Sequence, residues 1–456
     1  MDWEYDPSYE SVFPEDLHDW ALLVDYNCDG LPDIYTYATG GVRVYRNTGD
    51  SGSGHSYVLE NPFLFTVFWS PPATPMYFNS VDIPAFVDVD NDGDIDCLQF
   101  GSAAVAVEYN KNLSMETYGV CDSLIYETKN ECWGGFKEDG SSSAIELYAT
   151  SYPCNGTLPG EESWKPEDRG DRHAGSTILA LDLDASGVLD LIVGDVASPN
   201  LLWMFNDGTA PNMDSDMYDY DLYIPTNSDS VHLHNMPAAF HVDINNDGSR
   251  DMVVSPADVV DSHNWESVWW YTNSGPDNAP VFNYQGKDFL QGEMIDNGSN
   301  SLPVFFDANG DGLKDLLLSC QTKFDVATES KYSTIQYYEN VGTLADPQFE
   351  LITDDYEDIA VMGIGTGYHF YPAFGDLDDD GDSDLIIGGL EGGQSHVLHL
   401  CHVDESVGLT DNPAVGLHHP AHARVRRAHH RAAELHGLHG GEHGVLVGRG
   451  GVAEPG

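Results

Sequence analysis

One pattern recurs six times along the chain and constrains its fold more than any other feature. An apolar run precedes D-x-[DN]-x-[DNS]-G-x-x-D, and a second apolar run follows it. The copies open at Asp25, Asp88, Asp182, Asp243, Asp307 and Asp376, at spacings of 63, 94, 61, 64 and 69 residues. Self-similarity at such a period marks a repeat architecture, in which each unit buries its apolar faces against its neighbours.

The apolar runs are short, rich in Val, Ile, Phe and Tyr, and bounded by Gly, Asn, Asp or Pro, which is the signature of strands. A further run ending in Asn follows the loop, as in VRVYRNTG from Val42, LLWMFNDG from Leu201 and IQYYENVG from Ile335. A Pro-aromatic element closes some units, as NAPVF from Asn278 and ADPQF from Ala345. Four strands per unit predict an all-β chain: a β-propeller of four-stranded blades with six visible repeats over 1–415. The 94-residue spacing predicts a loop-rich, Cys-containing insertion within 111–172.

The loops place oxygen side chains at positions 1, 3, 5 and 9, with Gly at position 6. The expected metal ligands are Asp25, Asn27, Asp29 and Asp33; Asp88, Asp90, Asp92 and Asp96; and Asp182, Asp184, Ser186 and Asp190. The later loops supply Asp243, Asn245, Asp247 and Asp251; Asp307, Asn309, Asp311 and Asp315; and Asp376, Asp378, Asp380 and Asp384. Hard cations such as Ca²⁺ take six to eight oxygens, and alternate side chains of a tight loop converge on one point. No His or Cys stands at these positions, which argues against zinc. An EF-hand would need Glu at position 12 and flanking helices. Position 12 is instead Thr36, Gln99, Val193, Val254, Leu318 and Ile387, within strand patterns. Up to six Ca²⁺ are expected, with the Ser186 loop the weakest and the two all-Asp loops, opening at Asp88 and Asp376, fully acidic. A single Asp-Asn-Gly cluster is as readily an ordinary hairpin turn; six copies in register are not.

The chain has 18 Lys+Arg against 76 Asp+Glu, a formal net charge of -58. Such a field repels nucleic acid and anionic membranes and draws cations. No apolar stretch is long enough to span a membrane. The first 15 residues lack a signal core, so a removed signal or a fragment of a longer secreted chain is expected. Among the seven Cys, the group Cys121, Cys132 and Cys154 suggests a disulfide in an oxidising compartment. Cys28, Cys97, Cys320 and Cys401 are as readily buried thiols. The segment 416–456 holds 8 of the 19 His and no Lys, and lacks a strand pattern. It reads as a disordered tail or a reading-frame artefact, with transition-metal binding a lesser alternative.

The wording YPAFGDLDDDGDSDLIIGG from Tyr371, together with the Tyr-x-Asn-x-Gly element, resembles the FG-GAP/VCBS repeat over about 16–415. That family forms the calcium-binding propeller of integrin α subunits and of secreted bacterial surface proteins. The resemblance implies calcium at positions 1, 3, 5 and 9, with Asn27, Asn245 and Asn309 as tolerated variants and Ser186 as a departure. It implies seven blades in an intact chain, and an extracellular or cell-surface location. It also implies a non-enzymatic adhesion module that binds a protein or glycan ligand on a cell surface or matrix. A purely structural matrix protein is one alternative. A polysaccharide-active enzyme is another, but the sequence has no H-E-x-x-H and no nucleophile elbow. Trp133 and Trp164 are the two candidates for stacking on sugars, although such residues more often fill the core. Trp265, Trp269 and Trp270 read as core, and the triplet at Arg169 to Asp171 as chance.

Overall fold

The computed structural model describes residues 6–50, 54–68, 70–101, 105–139, 144–151, 154, 176–196, 198–209, 216–257, 266–292, 294–295, 297–325, 327–328, 330–359, 368–376, 384–391, 394–401 and 424–426. Strands dominate, and they group into successive four-stranded antiparallel sheets in chain order. The first sheet comprises Ala21–Val24, Asp33–Ala38, Gly41–Asn47 and Tyr57–Asn61. The second comprises Ala85–Val87, Asp96–Phe100, Val107–Asn112 and Tyr126–Trp133. The third runs through Ser176–Leu181, Asp190–Asp195, Leu202–Asn206 and Met217–Asp221, and the fourth through Pro237–Val242, Asp251–Pro256, Trp269–Asn273 and Phe282–Gly286. The fifth holds Leu302–Phe306, Asp315–Ser319, Ile335–Asn340 and Phe349–Thr353; the sixth holds Tyr368–Gly375, Asp384–Glu391, Gln394–Cys401 and Arg424–Arg426. The Pro-aromatic elements lead into the fourth strand of the fourth and fifth sheets, at Phe282 and Phe349.

The second strands read as nearly unbroken apolar runs because both of their faces are covered. In Asp190–Asp195, Leu191 and Val193 enter a core shared with Leu98, Val107 and Tyr109 of the second sheet. Ile192, between them, enters a core shared with Met252, Val254 and Tyr271 of the fourth sheet. Alternation across the pleat thus feeds two cores from one strand. The second sheet repeats the arrangement, with Leu98 packed toward the third sheet and Cys97 toward Tyr35 and Val44 of the first. Leu317, Phe370, Leu385 and Ile387 join the fifth and sixth sheets. Each fully buried Leu or Ile contributes roughly 1.5–3 kcal/mol.

Gly194 sets the approach of the third and fourth sheets. A Cβ there would lie 1.6 Å from the Pro237 carbonyl oxygen and 2.5 Å from Thr177 Oγ1. The Thr177 hydroxyl donates to that same carbonyl at 3.0 Å.

The structure departs from sequence expectation in three places. The range 111–172 is not all excursion, because Tyr126–Trp133 is the fourth strand of the second sheet. Phe65–Val67 adds to that strand in parallel, with Thr74–Pro75 beyond it, widening the sheet to six strands. Trp133 takes the commoner of its two expected roles: it is buried in the core with Phe136 and Met217 and offers no ring to a sugar. Arg424–Arg426 pairs with Gln394–Cys401, a strand where the His-rich stretch has no strand pattern. Trp164, Trp265, the Arg169 to Asp171 triplet and the rest of 416–456 lie outside the described residues. Trp269 and Trp270 are half-buried beside Tyr284 and Phe289, and of the two Trp269 packs against the core between the third and fourth sheets.

Candidate metal loops

Each loop closes the hairpin between the first and second strands of its sheet, in one register throughout. The residue before position 1 pairs with position 9: Val24 with Asp33, Val87 with Asp96 and Leu181 with Asp190. Val242 with Asp251, Phe306 with Asp315 and Gly375 with Asp384 follow the same rule. Eight residues therefore turn the chain between identical anchor pairs. Asp378 and Asp380 of the sixth loop lie outside the described residues.

Within the other five loops the hydrogen bonds repeat. The position 1 carboxylate accepts two backbone N–H groups, from positions 5 and 6. Asp29 and Gly30 donate to Asp25 at 3.2 and 2.8 Å, and Ser186 and Gly187 donate to Asp182 at 3.2 and 3.0 Å. Asp88, Asp243 and Asp307 accept likewise. Position 5 accepts from the N–H of position 7, as Asp311 does from Leu313 at 2.7 Å and Asp247 from Ser249 at 2.9 Å. Position 4 takes φ near +60° at Cys28, Asn91, Ala185 and Asn246, and position 6 takes φ between +84° and +101°. Glycine bears that last conformation without strain, which explains its presence in every copy.

Position 9 is built differently from the rest. Asp33, Asp96, Asp190, Asp251 and Asp315 are all 0% exposed. One oxygen of each accepts the N–H of position 2, and the other accepts the N–H of the Asn that ends the third strand. Those Asn residues are Asn47, Asn112, Asn206, Asn273 and Asn340, at 2.7 to 2.8 Å. The Asn side chain turns back to the loop, and Asn47, Asn206 and Asn340 each donate Nδ2 to the carbonyl of position 8. Sequence reasoning saw this Asn as a repeated letter but not its role; its fixed distance from the apolar run was the available signal.

Burial pushes the Asp33 and Asp190 carboxyls up to about 6 and the Asp96 carboxyl up to about 8, against the backbone hydrogen bonds that lower them. Asp88 and Asp251 are raised for the same reason. Burial raises Asp92 also, but hydrogen bonds from Lys111 and Asp94 outweigh it and leave that carboxyl below its ordinary range.

Carboxylate oxygens of Asp88, Asp90 and Asp96 lie within 4.8 Å of one another, as do those of Asp182, Asp184 and Asp190. Ligands at about 2.3–2.6 Å from one Ca²⁺ are at most about 5 Å apart, so both sets suit a shared ion. Asp90 Oδ1 is buried with no hydrogen-bond partner, which leaves an acceptor for such an ion. Loops 1, 4 and 5 carry Asn at position 3, whose amide oxygen accepts the position 5 N–H in each.

Two disulfides flank this region. Cys28, at position 4 of the first loop, is joined to Cys121, and Cys132 to Cys154. Cys28 Sγ also lies 3.5 Å from the Gly93 carbonyl oxygen, so the first and second loops are neighbours. Cys97 and Cys320 are buried thiols. Among the described residues, no helix is long and apolar enough to cross a membrane.

The FG-GAP-like repeat family matches residues 25–98, a span that runs from the first loop through the second. No curated protein matches the chain. Among solved structures, it aligns with a chain of the Photorhabdus luminescens Tc holotoxin pore at 14% identity and a TM-score of 0.21. The alignment covers 83% of this chain and 13% of that one.

Proposed function

We propose, from the FG-GAP-like repeat at residues 25–98 and the further copies of its loop, that the chain is a calcium-loaded extracellular β-propeller. Its sheets would be the blades, at least six of them, and up to six Ca²⁺ would sit in the hairpins between first and second strands. The reading rests on one observation above all: the same oxygen-bearing loop recurs in the same register between the first and second strands of all six repeats. In two of the loops whose ligand positions are all described, three carboxylates converge within 4.8 Å. Packing of one second strand against the sheets on both of its sides supports radial stacking. Two disulfides fit an oxidising compartment.

Bound calcium would offset the mutual repulsion of the loop carboxylates. At about 4 Å and an effective dielectric near 20, each pair repels by roughly 4 kcal/mol. The ion would be held by the oxygens at positions 1, 3, 5 and 9, while the backbone hydrogen bonds described above keep positions 1 and 5 oriented. The work of the chain on this reading is non-enzymatic: the loops fix the sheets, and the surface away from them binds a protein or glycan on a cell surface or matrix. A binding screen against glycans and matrix proteins, run with calcium and with chelator, tests it. Calcium-dependent capture is the expected result. Turnover of a polysaccharide, or capture indifferent to calcium, would refute it.

A further inference from the structure

The second loop differs from the others in what stands above it. Lys111, the residue before the strand-ending Asn112, extends its ammonium to Asp90 and Glu116, and lies 3.0 Å from Asp92 Oδ2. Asp90 and Asp92 are positions 3 and 5 of the loop. Glu116 stands on the short helix Ser114–Tyr118, in the connection between the third and fourth strands of the second sheet. The N–H of Met115 donates to Asp94 Oδ2 at 2.8 Å, fastening that helix to the loop. Asp90 is 9% exposed, whereas its counterparts Asn27 and Asn245 are half-buried and Asp184 and Asn309 are exposed.

The same position reaches the loop elsewhere. In the fifth sheet it is Glu339, whose Oε1 accepts from Nδ2 of Asn309, the position 3 residue, at 3.1 Å. The residue before the strand-ending Asn is thus placed to add charge at position 3. It adds a carboxylate in the fifth sheet and a cation in the second.

We propose that Lys111 is a tethered counter-cation at the second loop: it holds Asp90, Asp92 and Glu116 together without calcium and competes with calcium for them. The inference rests on the calcium reading of the loops. It reverses the order expected from letters alone, since an all-Asp loop becomes a weak calcium site and keeps its shape in chelator. Removing the positive charge frees two ligand carboxylates; moving it aside on calcium entry leaves an ammonium to be resolvated.

Calorimetric calcium titration of the full chain tests this. In Lys111→Met, one site is expected to tighten by about tenfold or more. Adding Asp88→Asn to that variant should abolish the gain, while Lys111→Arg should titrate like the unsubstituted chain. Asp88→Asn alone, which does not depend on the Lys111 variant folding, should remove no tight site, whereas Asp243→Asn in the fourth loop should remove one. An unchanged or weaker titration in Lys111→Met, or loss of a tight site in Asp88→Asn, overturns the proposal and leaves the calcium reading standing. Absence of calcium binding in every variant overturns both.

Discussion

Asp190 accepts the backbone N–H of Asn206 on one oxygen at 2.7 Å and that of Leu183 on the other at 2.8 Å. One buried carboxylate thereby joins the loop, the second strand and the end of the third. Replacing it with Ala leaves two buried N–H groups unsatisfied, at about 1–3 kcal/mol each. Asp190→Ala is therefore expected to lower the melting temperature both with calcium and in chelator. Asp184→Ala, at exposed position 3, should lower it only in calcium. Thermal melts of both variants in both buffers check the contrast.

The raised carboxyls set a pH dependence with a definite sign. Asp33, Asp96 and Asp190 titrate higher in the folded chain than the 3.8 of an ordinary Asp, so their protonated forms favour folding. Without divalent ions, stability is greatest below about pH 4 on this account. It falls as pH rises through about 6 for Asp33 and Asp190 and about 8 for Asp96. Melting temperature in chelator should therefore decline from pH 5 to pH 8. Calcium, which favours the ionised ligands, should flatten or reverse that slope.

Gly194 and Gly388 occupy the same place in their repeats, the fifth residue counted from the position 9 Asp. A Cβ at Gly194 meets backbone at 1.6 Å, while among the described residues one at Gly388 comes no nearer than 3.9 Å, to Tyr371. Gly194→Ala is expected to destabilise by about 1–3 kcal/mol or more through overpacking, and Gly388→Ala far less. Melting temperatures of the two variants decide it.

The Cys28–Cys121 bond closes a loop of 93 residues between the first and second sheets. Chain entropy puts its worth at about 4–5 kcal/mol for a loop of that length. Cys121→Ser should lower the melting temperature by several degrees and loosen the first loop, seen as faster amide exchange at Asp29 and Gly30. Cys97 and Cys320 are buried, and burial holds the Cys97 thiol well above its usual range, so both should resist alkylation until the chain unfolds.

Strand identity and loop register were legible because both are local. Asp33 through Asp384 follow their loops at a fixed count, and a run such as Leu191, Ile192, Val193 declares a strand covered on both faces. The closing partner of position 9 was not, because Asn206 is 16 residues from Asp190 while Asn340 is 25 from Asp315. A variable span hides a constant contact. The Cys28–Cys121 pairing joins two sheets, and only their packing brings position 4 of one loop to the end of another repeat's helix. Trp133 allowed two readings because aromatic residues amid Gly and Ser resemble a surface loop, and its place on a fourth strand decides for the core. Lys111 was one cation in a chain of -58, and nothing local marks which carboxylates it would choose.

The bonds described for Asp33, Asp96, Asp190, Asp251 and Asp315 end within their own repeats, between residues 14 to 25 apart along the chain for the Asn contact. A unit tied off this way owes little of its interior wiring to the unit before or after. Duplicating some sixty residues would copy strand pairing, turn and buried carboxylate together, needing only a compatible flank on which to stack. Lengthening by whole units, and the acquisition of an appendage such as the Ser114–Tyr118 helix by one unit alone, then become small evolutionary steps.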